Sequence, residues 1–167
     1  LDLVDGAVFR RRHRGRAQHA LVDPFVRVVA DVRLPRHRDA LAGAIDEFPV
    51  LFIVAACAKG ETVLTGAEEL RVKESDRIQS MADGLLTLGI DAQATPDGIR
   101  IQGGQIGGGV VHSHDDHRIA MAFSIAALRA QDEIFVQDCN NVATSFPDFV
   151  ALAHRVGLHI TPVVAGH

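Results

Sequence analysis

Two stretches of the chain gather residue types that move protons and hold anions. The first joins Asp46-Glu47 to Glu68-Glu69-Leu70-Arg71-Val72-Lys73-Glu74-Ser75-Asp76-Arg77. The second joins His114-Asp115-Asp116-His117-Arg118 to Asn140–Pro147 (NNVATSFP). Asp46, Glu74 and His117 are candidate proton-transfer groups. Lys73, Arg77 and Arg118 can grip phosphate or carboxylate through charge-assisted hydrogen bonds. Plainer readings stand beside these. Lys73, Glu74, Asp76 and Arg77 also fit a solvated first helical turn, whose pairs stabilise by only about 0.2–0.5 kcal/mol each. Ser145, with Asp148 three residues on and Pro147 between, fits a capping box. His112-x-His114-x-x-His117 with Asp115 and Asp116 supplies metal-ligand types, yet no Cys or fourth-ligand pattern accompanies it, so no metal is expected. Gly103-Gly104 with Gly107-Gly108-Gly109 lacks both phosphate-loop spacings and reads as a flexible hairpin loop.

The elements that must position these groups are legible from residue 46 onward. Asp46 to Ala58 is almost wholly apolar and closes on Lys59-Gly60, which predicts a buried helix. Glu61–Thr65 predicts a strand, and Ile78, Met81, Ala82, Leu85 and Leu88 recur at helical spacing up to Gly89. Strands at 90–94 and 99–102 meet across Pro96-Asp97-Gly98. The order then returns: a helix over 116–128, a strand over 133–137, a helix over 146–156 stopped by Gly157, and a strand over 158–161. Setting Asp46 against Asp116 and Gly89 against Gly157 gives a duplicated α/β unit with an offset near 70 residues. The polar clusters fall at the same places in both copies, where helices begin. Helix N-termini carry unpaired N–H groups and partial positive charge, so four of them together are expected to form an anion-binding wall.

Residues 1–45 are different. They carry nine Arg against five Asp, whereas residues 46–167 carry eight Lys and Arg against sixteen acids, so a net charge of -4 divides into +4 and -8. Arg10-Arg11-Arg12-His13-Arg14-Gly15-Arg16 can neutralise phosphates of a nucleic acid, but with no aromatic platform beside it a solvated basic segment is the favoured reading. Phe25–Leu34 partly alternates as a half-buried strand does. With 47% hydrophobic and 23% charged residues among 167, disorder is excluded, and two Cys exclude a disulfide-stapled scaffold. The longest apolar run, 49–58, is too short for a membrane span of about 20 residues. No secretory signal is apparent, so a cytoplasmic location is expected.

IDEFPVLFIVAACAKG at 45–60, ELRVKESDRI at 69–78, DDHRIAMAF at 115–123 and NVATSFPDF at 141–149 together resemble the 5-enolpyruvylshikimate-3-phosphate synthase family. The resemblance covers 45 to about 161, the later part of that family's C-terminal domain. It implies a fold of βαβαββ units with helices inside and sheets facing outward, an inside-out barrel of which about two of six units are present. Residues 1–44 then form a basic segment outside the resemblance or a part of the preceding unit, and 164–167 a tail. The implied reaction moves the enolpyruvyl group of phosphoenolpyruvate to the 5-hydroxyl of shikimate 3-phosphate, releasing phosphate, in aromatic amino acid biosynthesis, with no cofactor. By the same resemblance Asp46 contacts and deprotonates the attacking hydroxyl, and Glu74 moves the proton at the methylene carbon. Lys73 contacts substrate, Arg77 and Arg118 hold phosphoenolpyruvate, and His117 stands beside the second arginine.

Thr144 stands where many members carry a phosphoenolpyruvate-binding lysine, as in the subgroup with A-T-S-F-P. The family's N-terminal domain has no counterpart in the sequence, so the chain is expected to be inactive unless that domain is supplied as a partner. The sister enolpyruvyl transferase acting on UDP-N-acetylglucosamine, and a non-catalytic module binding nucleic acid through its Arg-rich start, are the rival readings.

Overall fold

The computed structural model describes residues 6–11, 30–33 and 44–163. Strands β1 (Gly6–Arg11) and β2 (Ala30–Arg33) lead to a 3-10 turn at Ile45–Glu47 that runs into α1 (Phe48–Cys57). Then come β3 (Glu61–Thr65), a 3-10 turn at Glu68–Val72, α2 (Arg77–Thr87), β4 (Asp91–Thr95) and β5 (Gly98–Gln102). The second half holds β6 (Gly109–His112), α3 (His117–Ala126), β7 (Ile134–Gln137), α4 (Asn141–Ser145), α5 (Phe149–Arg155) and β8 (Leu158–Val163). The Phe25–Leu34 expectation is met at Ala30–Arg33; its flanks, the rest of the Arg-rich stretch beyond Arg11, and the tail lie outside the described residues.

The two sheets have the same plan. One is ordered β2-β3-β5-β4 and the other β6-β7-β1-β8. In the first, β2 and β3 are parallel while β5 is antiparallel to both β3 and β4. In the second, β6 and β7 are parallel while β1 is antiparallel to both β7 and β8. The duplication is therefore three-dimensional: β1 takes in the second unit the place that β5 takes in the first, although it comes from the opposite end of the sequence.

Helices lie between these sheets. α2 packs on β4 and β5 of one sheet and β6 of the other, α1 on β5, and α3 on β7. β5 turns its apolar residues toward the helices, Ile99 and Ile101 being buried and Arg100 and Gln102 exposed. α2 and α3 meet at a point without side-chain thickness: Gly84 faces the ring of buried Phe123, and a methyl on Gly84 would stand 2.2 Å from Phe123 Cζ. α1 is apolar all round but buried only in part, for Leu51 and Val54 on its outer side are 47% and 53% exposed.

Two expectations are corrected. The glycine-rich stretch is no flexible hairpin loop; it carries the chain from one sheet to the other, and Gly103 N–H, Gly104 N–H and Gly107 N–H donate to the carbonyls of Gly60, Ala56 and Leu88. A methyl on Gly103 would lie 1.9 Å from the Ala58 carbonyl oxygen, so this close approach requires glycine. The helix expected over 146–156 starts late, as α5 at Phe149, and a separate short helix, α4, that was not expected precedes it. Pro147 has no N–H to continue α4, and Phe146 before it leaves the helical region at φ -144°, ψ 80°. Ser145 therefore ends α4, and α5 starts behind Asp148 with no side-chain cap, so the capping box does not form.

Candidate active site

The starts of α1, α2 and α3 converge, and Arg77 sits where they meet. Its side chain is 0% exposed. Nε donates to Asp116 Oδ2 at 2.8 Å, Nη1 to Asp46 Oδ1 at 2.8 Å, and Nη2 to Glu74 Oε2 and, at 3.4 Å, to Asp116 Oδ1. The reading of this stretch as a solvated turn is thereby corrected for Arg77, while Asp76 does cap the helix by accepting from Gln79 N–H at 3.0 Å. A buried guanidinium needs carboxylates on every edge to offset lost hydration.

Asp46 is the shared acid. Besides Arg77 it meets Lys73 Nζ at 3.6 Å and Arg118 Nη2 at 3.9 Å. Arg118 Nη1 also donates to the Asp46 carbonyl at 3.2 Å and to Glu47 Oε1 at 2.9 Å, and Lys73 donates to Glu69 Oε1 at 2.8 Å. Partial burial pushes the Asp46 carboxyl up, but the Arg77 hydrogen bond and the charges of Lys73 and Arg118 outweigh it and hold the group below its usual value of 3.8. The hydrogen bond to Glu69 raises Lys73, with Asp46 adding to it against desolvation. Desolvation opposes the charge on Arg77, yet Asp116 and Asp46 raise it above its ordinary value.

The anion-binding wall of open helix ends is also corrected for two of its four members, since α1 and α5 have no side-chain cap but α2 and α3 do. α2 and α3 are capped by their own aspartates, Asp116 accepting from Arg118 N–H at 2.9 Å, so side-chain cations rather than bare N–H groups offer the anion site. Every carboxylate around those cations except Asp116 reaches solvent: Asp46, Glu47, Glu69 and Glu74 side chains are 40%, 59%, 54% and 51% exposed.

Asp46, Lys73, Glu74, Arg77 and Arg118 thus share one network. His117 is half-buried on the first turn of α3 and makes no side-chain hydrogen bond among the described residues. Thr144 is outside the network; its exposed hydroxyl donates to the Asn141 carbonyl at 3.0 Å within α4. α4 is tied to the site by Asn141 Nδ2, which donates to the Asp115 carbonyl. Buried Ser113 ties the same two loops, its hydroxyl lying 2.9 Å from the Gln137 carbonyl and 2.6 Å from that of Asp138. His114, Asp115 and Asp138 all have left-handed backbone, with φ of 53°, 57° and 58°. No three His, Cys, Asp or Glu among the described residues are grouped to hold a metal ion. Asp116, considered from sequence only as a metal ligand, is the member whose place was missed; the available signal was that α2 and α3 both open on Asp followed within two residues by Arg.

The family described as EPSP synthase (3-phosphoshikimate 1-carboxyvinyltransferase) matches residues 23–152. The chain belongs to this family. The match takes in the whole network and extends upstream of the motifs that begin at residue 45. A 3-phosphoshikimate 1-carboxyvinyltransferase of Methylococcus capsulatus is 68% identical over 134 residues, covering 80% of this chain and 30% of the relative. EPSP synthase from Acinetobacter baumannii superposes with a TM-score of 0.72 at 56% identity, covering 78% of this chain and 31% of that one. The enolpyruvyl transferase NikO from Streptomyces tendae, at 22% identity and a TM-score of 0.59 over 72% of this chain and 27% of its own, shares the fold. The chain spans about 30% of the length of the first of these synthases. No helix among its described residues is long and apolar enough to cross a membrane.

Proposed function

We propose that this face is the C-terminal half of a cleft that transfers the enolpyruvyl group of phosphoenolpyruvate to the 5-hydroxyl of shikimate 3-phosphate, in the cytoplasm, completed by an N-terminal part of the kind the longer relatives contain. The observation that carries it is one carboxylate, Asp46, in contact with three cations, Lys73 from the loop before α2, Arg77 from α2 and Arg118 from α3. Arg77 and Arg118 take the phosphate and carboxylate of phosphoenolpyruvate, and Lys73 contacts substrate beside them. To do so they exchange exposed carboxylate partners for ligand anions, the freed side chains turning to water.

This exchange has a chemical consequence. With its cations occupied, Asp46 loses what holds its carboxyl low and becomes a better base when the hydroxyl proton must leave. The hydroxyl oxygen then bonds to C2 of phosphoenolpyruvate while Glu74 gives a proton to the methylene carbon, forming a tetrahedral adduct. In the second step the C2–O bond to phosphate breaks, Glu74 takes a proton back from the methyl group, and phosphate leaves with the cations offsetting its charge. His117 lies beside Arg118 for proton exchange, and the Thr144 hydroxyl is a neutral contact at the rim.

An open face cannot exclude water or orient two substrates. The test is phosphate release from the two substrates by this chain combined with the N-terminal part of the Methylococcus capsulatus relative. Release is expected only from the combination and to fall at least about a hundredfold with Asp46→Asn. Failure of this chain where the relative's own C-terminal part restores activity would overturn the assignment.

A further inference from the structure

The buried carboxylate of Asp116 touches both arginines, each by a different route. Oδ2 accepts from Arg77 Nε at 2.8 Å and from Ser75 Oγ at 3.1 Å, while Oδ1 accepts from the Arg118 backbone N–H at 2.9 Å and, at 3.4 Å, from Arg77 Nη2. One side chain thereby sets the start of α3 against that of α2. The partners of Arg77 also differ in kind. Asp46 and Glu74 are 40% and 51% exposed and can turn to water when a ligand anion replaces them, but Asp116 is 0% exposed and has no water to turn to. It is the partner that Arg77 keeps.

We infer that Asp116 is a positioning residue. It holds the Nε edge of Arg77 so that Nη1 and Nη2 reach Asp46 and Glu74, the partners a ligand anion can replace, and its charge offsets burial of the guanidinium. Through Oδ1 it fixes the first turn that carries Arg118. The inference rests on the anion-binding reading above and adds to it the group that aims the two cations.

Asp116→Asn separates this role from simple helix capping. Asparagine caps a helix as well as aspartate does and retains an oxygen for the Arg118 N–H, but it presents no charge to Arg77. The full chain, labelled with nitrogen-15, is titrated with phosphoenolpyruvate alone, following the Arg118 amide, while the exchange of the Arg77 Nε–H with water is measured in the same samples. In the unsubstituted chain that Nε–H is expected to exchange slowly. In Asp116→Asn it exchanges rapidly, and the dissociation constant for phosphoenolpyruvate rises at least about tenfold with the fold retained, as expected for a lost hydrogen bond between charged groups. Retained Nε–H protection, or an unchanged dissociation constant in the variant, overturns the assignment. If the unsubstituted chain binds no phosphoenolpyruvate, the anion-binding reading falls, while Nε–H exchange still decides whether Asp116 holds Arg77. Should Asp116→Asn not fold, Ser75→Ala removes one hydrogen bond to Oδ2 and leaves the charge; accelerated Nε–H exchange supports the role, and unchanged exchange overturns it.

Discussion

Gly84→Ala is the substitution on which helix propensity and packing disagree most sharply. In an exposed helix the change would stabilise by about 0.8–1.0 kcal/mol, because alanine is the better helix former. Gly84, however, lies where α2 meets α3, and the added methyl would stand 2.2, 2.6 and 3.0 Å from three carbons of the Phe123 ring. Relief requires the ring or α3 to move by roughly 1.3–1.8 Å, since carbon atoms rest about 3.5–4.0 Å apart. Phe123 is 0% exposed, so the ring has no free space to move into. Overpacking of this kind costs about 1–3 kcal/mol, and three short contacts on one enclosed ring place it at the upper end. Packing therefore wins, leaving a net loss of about 2 kcal/mol, which for a chain of this size lowers the melting temperature by roughly 4–8 °C. Denaturant unfolding of both chains measures it. Phe123→Leu in the same background should recover part of the loss through a favourable coupling of about 1 kcal/mol, because the smaller side chain makes room for the methyl. A Gly84→Ala chain as stable as the unsubstituted one, or strictly additive effects in the pair, would refute the packing argument. The outcome matters to the site because Arg77 starts α2 and Asp116 caps α3.

Three further outcomes are expected. The Asp46 carboxyl, followed by carbon-13 chemical shift, should titrate below 3.8; its ion pairs stabilise the fold fully above that pH and are lost as pH falls through the lower native value, whereas a midpoint at or above 3.8 would contradict the three-cation arrangement. Burial pushes both Cys57 and Cys139 above their usual 9.0, so iodoacetamide at pH 8 should modify them slowly in the native chain and rapidly in urea; equal rates would show that neither is shielded. Gly103→Ala should destabilise by more than about 2 kcal/mol in denaturant unfolding, since its methyl meets the Ala58 carbonyl at 1.9 Å and backbone cannot yield as a side chain does.

Local periodicity made much of the fold readable. β3 stands at the expected Glu61–Thr65, and α2 and α3 stand where periodic apolar residues ended on glycine or began behind aspartate. β1 escaped because nothing in GAVFRR marks a strand between β7 and β8; that position depends on residues more than a hundred positions away. β6 was hidden by the glycines before it, and α4 by its polar sequence NVATS, which has no apolar face to read. At the site, residue type located Asp46, Lys73, Arg77 and Arg118, but sequence could not show that Arg77 is enclosed, because enclosure comes from three helix starts meeting in space. Asp116 was given no role at the site, for nothing local shows that Arg77, thirty-nine residues earlier, is its partner.

The left-handed residues in the loops after β6 and β7 bear on how the chain balances folding against chemistry. Non-glycine residues in this conformation cost roughly 1–2 kcal/mol each, aspartate somewhat less because its short side chain can bond locally. Glycine at 114, 115 or 138 would relax the backbone and favour the native state. The chain keeps side chains there instead, at the approach to Asp116, and Ser113 and Asn141 hold the two loops together against that tension. The geometry of the rim is thus dictated by contacts made around it rather than by the preferences of its own residues, which makes it the part of the site least able to keep its shape if those contacts are removed.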